Sequence, residues 1–101
     1  MSAVDFTYLE TFVAHDPGIV REVLALFSDQ ARSWSEKLDG APADCRDLLH
    51  TIKGAARGVG ANALGDACAV AEAQATPDLS PVRAALDAVV ADIAAYQSVK
   101  A

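Results

Sequence analysis

Residues 16–40 read DPGIVREVLALFSDQARSWSEKLDG. They open on Asp16-Pro17, a capping carboxylate followed by a proline suited to the first helical position, and run to Asp39-Gly40. Between these signals Ile19, Val20, Val23, Leu24, Phe27, Ala31, Trp34 and Leu38 recur at steps of three and four. That spacing predicts one long amphipathic helix. On it Phe27 and Trp34 fall in the core stripe and read as packing, not as a stacking or cofactor site.

The flanking segments repeat the pattern. Upstream, Asp5 is placed to cap a short helix with Leu9, Phe12 and Val13 on its apolar side. His15 lies just before the Asp16 cap and reads as a surface residue. Downstream, Gly40-Ala41-Pro42 makes a turn, and a third helix carries Leu48, Leu49, Ile52, Ala55, Ala56 and Val59 as far as Gly60. Asn62 is expected to cap a fourth, with Leu64, Ala67, Cys68, Ala71 and Ala75 on one stripe. A loop from Thr76 to Pro81 ends in the start signal Ser80-Pro81, and Val82, Leu86, Val89, Ile93 and Tyr96 mark a last helix that frays near Lys100. Short connections favour antiparallel neighbours. The expectation is an all-α fold, an antiparallel up-down four-helix bundle with a short extra N-terminal helix, as a single domain over residues 1–101.

Composition narrows the function. A chain of 101 residues with 52% hydrophobic residues can fill one core, not two. It has no room for a kinase's own nucleotide-binding domain. Fourteen acidic against eight basic residues give a formal charge of −6, so neither nucleic acid nor an anionic membrane is an expected partner. No apolar run is long enough to span a bilayer, and residues 1–10 lack the basic start and apolar stretch of a secretion signal. Cys45 and Cys68 stand far apart and read as reduced thiols, which together with the missing signal fits a cytoplasmic protein.

The third helix carries unusual residues on its outer side. With Leu48 at zero and about 100° per residue, Ile52, Ala55 and Val59 fall within about 40° and mark the core side. Arg46, His50, Lys53 and Arg57 then fall between about 140° and 200°, opposite that core, with Gly54 beside them. A mid-helix glycine costs about 0.5–1 kcal/mol relative to alanine. A reason to tolerate it is that another molecule must approach closely, one turn from His50. Gly58 extends the same smooth surface. Imidazole is largely neutral and nucleophilic near neutral pH, so it can attack a phosphoryl group and hold it. Lys53 and Arg57 can neutralise phosphoryl oxygens or dock against an acidic pocket on the donor. No glycine-rich phosphate loop, paired catalytic carboxylates or metal-ligand cluster accompanies them.

The stretch Leu49-His50-Thr51-Ile52-Lys53-Gly54-Ala55-Ala56-Arg57-Gly58-Val59-Gly60-Ala61 resembles the signature of histidine-containing phosphotransfer (HPt) domains of bacterial two-component phosphorelays. Tyr8-Leu9, Asp16-Pro17 and Phe27 in the leading helices, and Leu64, Cys68 and Glu72 in the following one, extend the likeness along the chain. The resemblance implies the helical bundle already expected, and a stoichiometric phosphocarrier, not an enzyme. His50 would accept a phosphoryl group from a receiver-domain aspartate and pass it to another. The receivers of a hybrid histidine kinase and a response regulator would be its partners, and Arg46, Lys53, Gly54, Arg57 and Gly58 the phosphoryl and receiver docking surface. No cofactor is implied, since Mg2+ belongs to the partner receiver. The carrier would be a monomer.

Glu72, 22 positions after His50, stands where the family often has glutamine or glutamate. In the phosphotransfer domain of chemotaxis-type kinases an acidic residue at that spacing hydrogen-bonds the inner nitrogen of the histidine. The same role is expected of Glu72 if its helix turns that flank toward His50. A second reading is a helical module that docks receivers without carrying phosphate, against which the intact His50 argues. A third, the dimerisation and phosphotransfer hairpin of a sensor kinase, fits poorly with five helical segments.

Overall fold

The computed structural model describes residues 3–40 and 45–100, and every regular element among them is helical. The elements are α1 (Phe6–Phe12), α2 (Pro17–Asp39), α3 (Cys45–Gly58), α4 (Asn62–Ala73) and α5 (Ser80–Lys100). α2 packs on α3, α3 on α4, α4 on α5, and α5 back on α2, so four helices close a ring while α1 leans on α2. The body measures 41 × 22 × 20 Å, little longer than the roughly 35 Å of its longest helix. This is the bundle expected from the sequence. None of the helices is long and apolar enough to cross a membrane among the described residues.

Local chemistry sets the helix ends. The Asp5 carboxylate accepts from Tyr8 N at 3.1 Å, and the Asp16 carboxylate accepts from Gly18 N and Ile19 N at 2.9 and 3.2 Å. Both carboxylates thus cap as expected. α3 stops in a Schellman motif: Ala61 N donates to Ala56 O at 2.8 Å and Gly60 N to Arg57 O at 3.4 Å. Gly60 has φ +84, and a Cβ there would stand 2.8 Å from Asp5 O. Two expected caps are displaced. Ala61, not Asn62, is the N-cap of α4 and offers no side-chain acceptor, because the Gly60 turn delivers the chain with Ala61 buried and Asn62 exposed. At α5 the carboxylate that accepts from Ser80 N is that of Asp78, at 3.0 Å, and Ser80 is already helical. The expected turn at Ala41-Pro42 lies outside the described residues.

The core is apolar throughout the described residues. Val20, Leu24, Phe27, Ala31, Trp34 and Leu38 of α2 meet Leu49, Ile52 and Ala56 of α3, Leu64, Cys68 and Ala71 of α4, and Val82, Leu86, Val89 and Ile93 of α5. Phe27 and Trp34 pack edge to face with centroids 5.5 Å apart. Three residues depart from their expected core positions. Phe12 and Ile19 are exposed, at the end of α1 and the first turn of α2, and Ala75 lies beyond the end of α4. The N-terminal segment is tied down. Ala3 N and Val4 N donate to the Asp92 carboxylate, Asp5 N donates to Gly60 O at 2.9 Å, and Phe6 stacks on Tyr96.

Candidate functional site

α3 packs with Leu49, Ile52 and Ala56 innermost, whereas Leu48 and Ala55 are half-buried. The core side is therefore turned by roughly 60° from an axis through Leu48. Leu48 and Leu49 are equally apolar neighbours, and only contact with α2 and α4 decides which goes deeper. The turn rearranges the outer face. Gly54 becomes its outermost point and His50 stays beside it, with a side chain 76% exposed. Lys53 swings to the flank and is only 20% exposed.

On that flank stands Glu72 of α4. Lys53 Nζ donates to Glu72 Oε2 at 3.3 Å and lies 3.1 Å from Oε1. Oε1 is buried and has no aligned hydrogen bond among the described residues. His50 Nδ1 lies 3.9 Å from Glu72 Oε2, too far for a hydrogen bond. Glu72 thus faces His50, held first by Lys53.

Arg46, at the start of α3, reaches the opposite way along α4. Its guanidinium donates to the carbonyls of Glu72, Gln74 and Ala75 at 3.4, 2.5 and 3.3 Å. These are carbonyls that the end of α4 would otherwise leave without helical partners. Arg46 therefore clamps the turn that carries Glu72. Arg57 lies nearer α4's other end, 3.6 Å from the exposed carboxylate of Asp66. So two of the three cations on α3 have acidic neighbours on α4, and the face is less basic than the sequence stripe suggested. Beneath it Cys68 is buried. Its thiol is pushed up from 9.0 to about 11, first by burial and then by the charge of Glu72, against opposing Lys53 and Arg57.

Both glycines of this face are open. Among the described residues a Cβ on Gly54 or Gly58 would meet nothing within 4 Å, so no contact among them requires glycine there. Gly65 of α4 differs: it is buried, and its Cβ would stand 3.0 Å from Arg57 Cγ. Sequence reasoning passed over Gly65 and Asp66, since nothing in the spacing of α4 shows that they lie under Arg57. His50, Lys53, Gly54, Arg57, Gly58 and Glu72 share one face, with Arg46 at its edge.

The family model for the Hpt domain matches residues 8–97. Among solved structures, the chain is similar to the crystal structure of histidine phosphotransferase ShpA from Caulobacter crescentus. The two share 52% identity and a TM-score of 0.89, over 98% of this chain and 94% of that one. Among curated proteins no sequence matches significantly. A helical ring with one histidine exposed on α3, and a family match that runs from α1 into the end of α5, lead to one assignment: the chain belongs to the Hpt-domain family.

Proposed function

We propose that the protein carries a phosphoryl group on His50 between receiver-domain aspartates. The observation that carries this reading is the pairing of exposure with orientation: a 76% exposed imidazole whose Nδ1 faces a carboxylate. With its proton on Nδ1, the ring presents Nε2 to an aspartyl phosphate. As the N–P bond forms, the P–O bond to the aspartate breaks and the aspartate leaves as a carboxylate. The phosphorylated ring keeps its Nδ1 proton and is cationic, and Glu72 offsets that charge. Transfer onward is the same exchange reversed on a second receiver. Open ground at Gly54 and Gly58 admits the receiver's active-site loop. Lys53 and Arg57 offer cations to phosphoryl oxygens or to receiver carboxylates, while Arg46 contributes by holding the end of α4 that carries Glu72.

The test is to incubate the protein with phosphoramidate, and separately with a phosphorylated receiver domain. Intact mass and peptide mapping then locate the adduct. One acid-labile, alkali-stable phosphoryl group on His50, absent from a folded His50→Ala protein, is expected. A receiver that binds while neither donor modifies His50 would overturn the carrier reading in favour of a docking module.

A further inference from the structure

A helical side chain leans toward the N-terminus of its helix, onto the residues three and four positions earlier. For Arg57 those are Gly54 and Lys53, so its ordinary course would lay the guanidinium across the bare surface beside His50. It does not take that course. The stem crosses to α4 and lies on Gly65: a Cβ there would stand 3.0 Å from Arg57 Cγ, 3.1 Å from Nε and 3.6 Å from Cδ. The guanidinium ends 3.6 Å from Asp66 Oδ1, with the side chain still 51% exposed. Among the described residues Gly54 is left with nothing within 4 Å of its Cβ direction.

We infer that Gly65 is a positioning residue for receiver docking, an inference that rests on the carrier reading above. Its missing side chain makes a recess on α4 in which the Arg57 stem lies. The approach to His50 over Gly54 stays clear, and the guanidinium stands at the rim of the docking face. The exposed ion pair with Asp66 is too weak to hold Arg57 there alone. The recess is what sets its course.

The test separates docking from the acceptor chemistry. Phosphoramidate first loads His50 in each protein. Each phosphoprotein is then mixed with a receiver domain that the wild type phosphorylates, and loss of phosphohistidine is followed against receiver concentration. Gly65→Leu fills the recess and is expected to raise the half-saturating receiver concentration by about tenfold, with the limiting rate little changed. Gly65→Ala, which also favours the helix, should raise it less while keeping the melting temperature at or above that of the wild type. On an Arg57→Ala background neither substitution should have a further effect. An unchanged half-saturating concentration in both Gly65 variants overturns the inference. So does an equal rise with and without Arg57, since Gly65 would then touch the receiver itself. Failure of the wild type to load His50, or to pass the group to any receiver, instead sinks the carrier reading and the inference with it.

Discussion

Lys53 and Glu72 are each mostly covered, and each has the other as its counter-charge. Removing one therefore leaves the other stranded. Lys53→Met should cost about 1–2 kcal/mol in urea denaturation, because it leaves a partly buried carboxylate without a donor. Adding Glu72→Gln to it should recover much of that loss. In the wild-type background Glu72→Gln should slow phosphoramidate labelling of His50 by roughly fivefold, the effect of one charge about 4 Å away near a surface. An unchanged rate would remove Glu72 from the chemistry. Cys68 gives the pH dependence. The folded protein holds its thiol proton more tightly than the unfolded chain does, so this stabilisation is whole below 9.0 and is lost as pH rises toward about 11. Denaturation midpoints of wild type and Cys68→Ala, compared across that window, should show the steeper fall in the wild type. His50 and Gly54 were legible in the sequence because exposure of the polar face follows from periodicity. The orientation of Lys53 was not, because Leu48 and Leu49 compete equally for the core.

Helix ends show the same division. Asp5 and Asp16 cap as read, since a carboxylate finds its own backbone donors within three residues. Asp16→Ala should destabilise the protein by about 1 kcal/mol, the usual cost of a lost N-cap. The end of α1 is less economical. His15 N donates to Glu10 O at 2.7 Å and Ala14 N to Thr11 O at 3.1 Å, in a Schellman turn without glycine. Ala14 and His15 consequently sit at φ 55 and 60. Left-handed backbone costs a residue with a Cβ about 1 kcal/mol or more, so Ala14→Gly should raise stability by about that amount. A lower melting temperature would show that the turn is not strained. No residue type announced this turn, because the signal for it is a glycine the chain does not have.

At the scale of the molecule, the N-terminal segment is tied to the turn after α3 through Asp5 N and Gly60 O, while its side-chain ties run to α5. Asp92 holds Ala3 N and Val4 N, and the Tyr96 hydroxyl donates to Glu10 at 3.2 Å. Asp92→Ala should speed amide exchange in residues 3–13 without altering the rate at which phosphoramidate labels His50. A matching loss at His50 would show that the N-terminal segment supports the site. By itself the amino-acid sequence determined the helices, their order and the exposed histidine beside a glycine. Each of these follows from periodicity and short-range capping, which act within a few residues. Tertiary structure alone decided which cation faces which carboxylate. Lys53 lies on Glu72, Arg46 caps α4 and Arg57 lies across Gly65 because the rotation of α3 and its apposition to α4 are set by packing between helices, which brings together residues on two different helices.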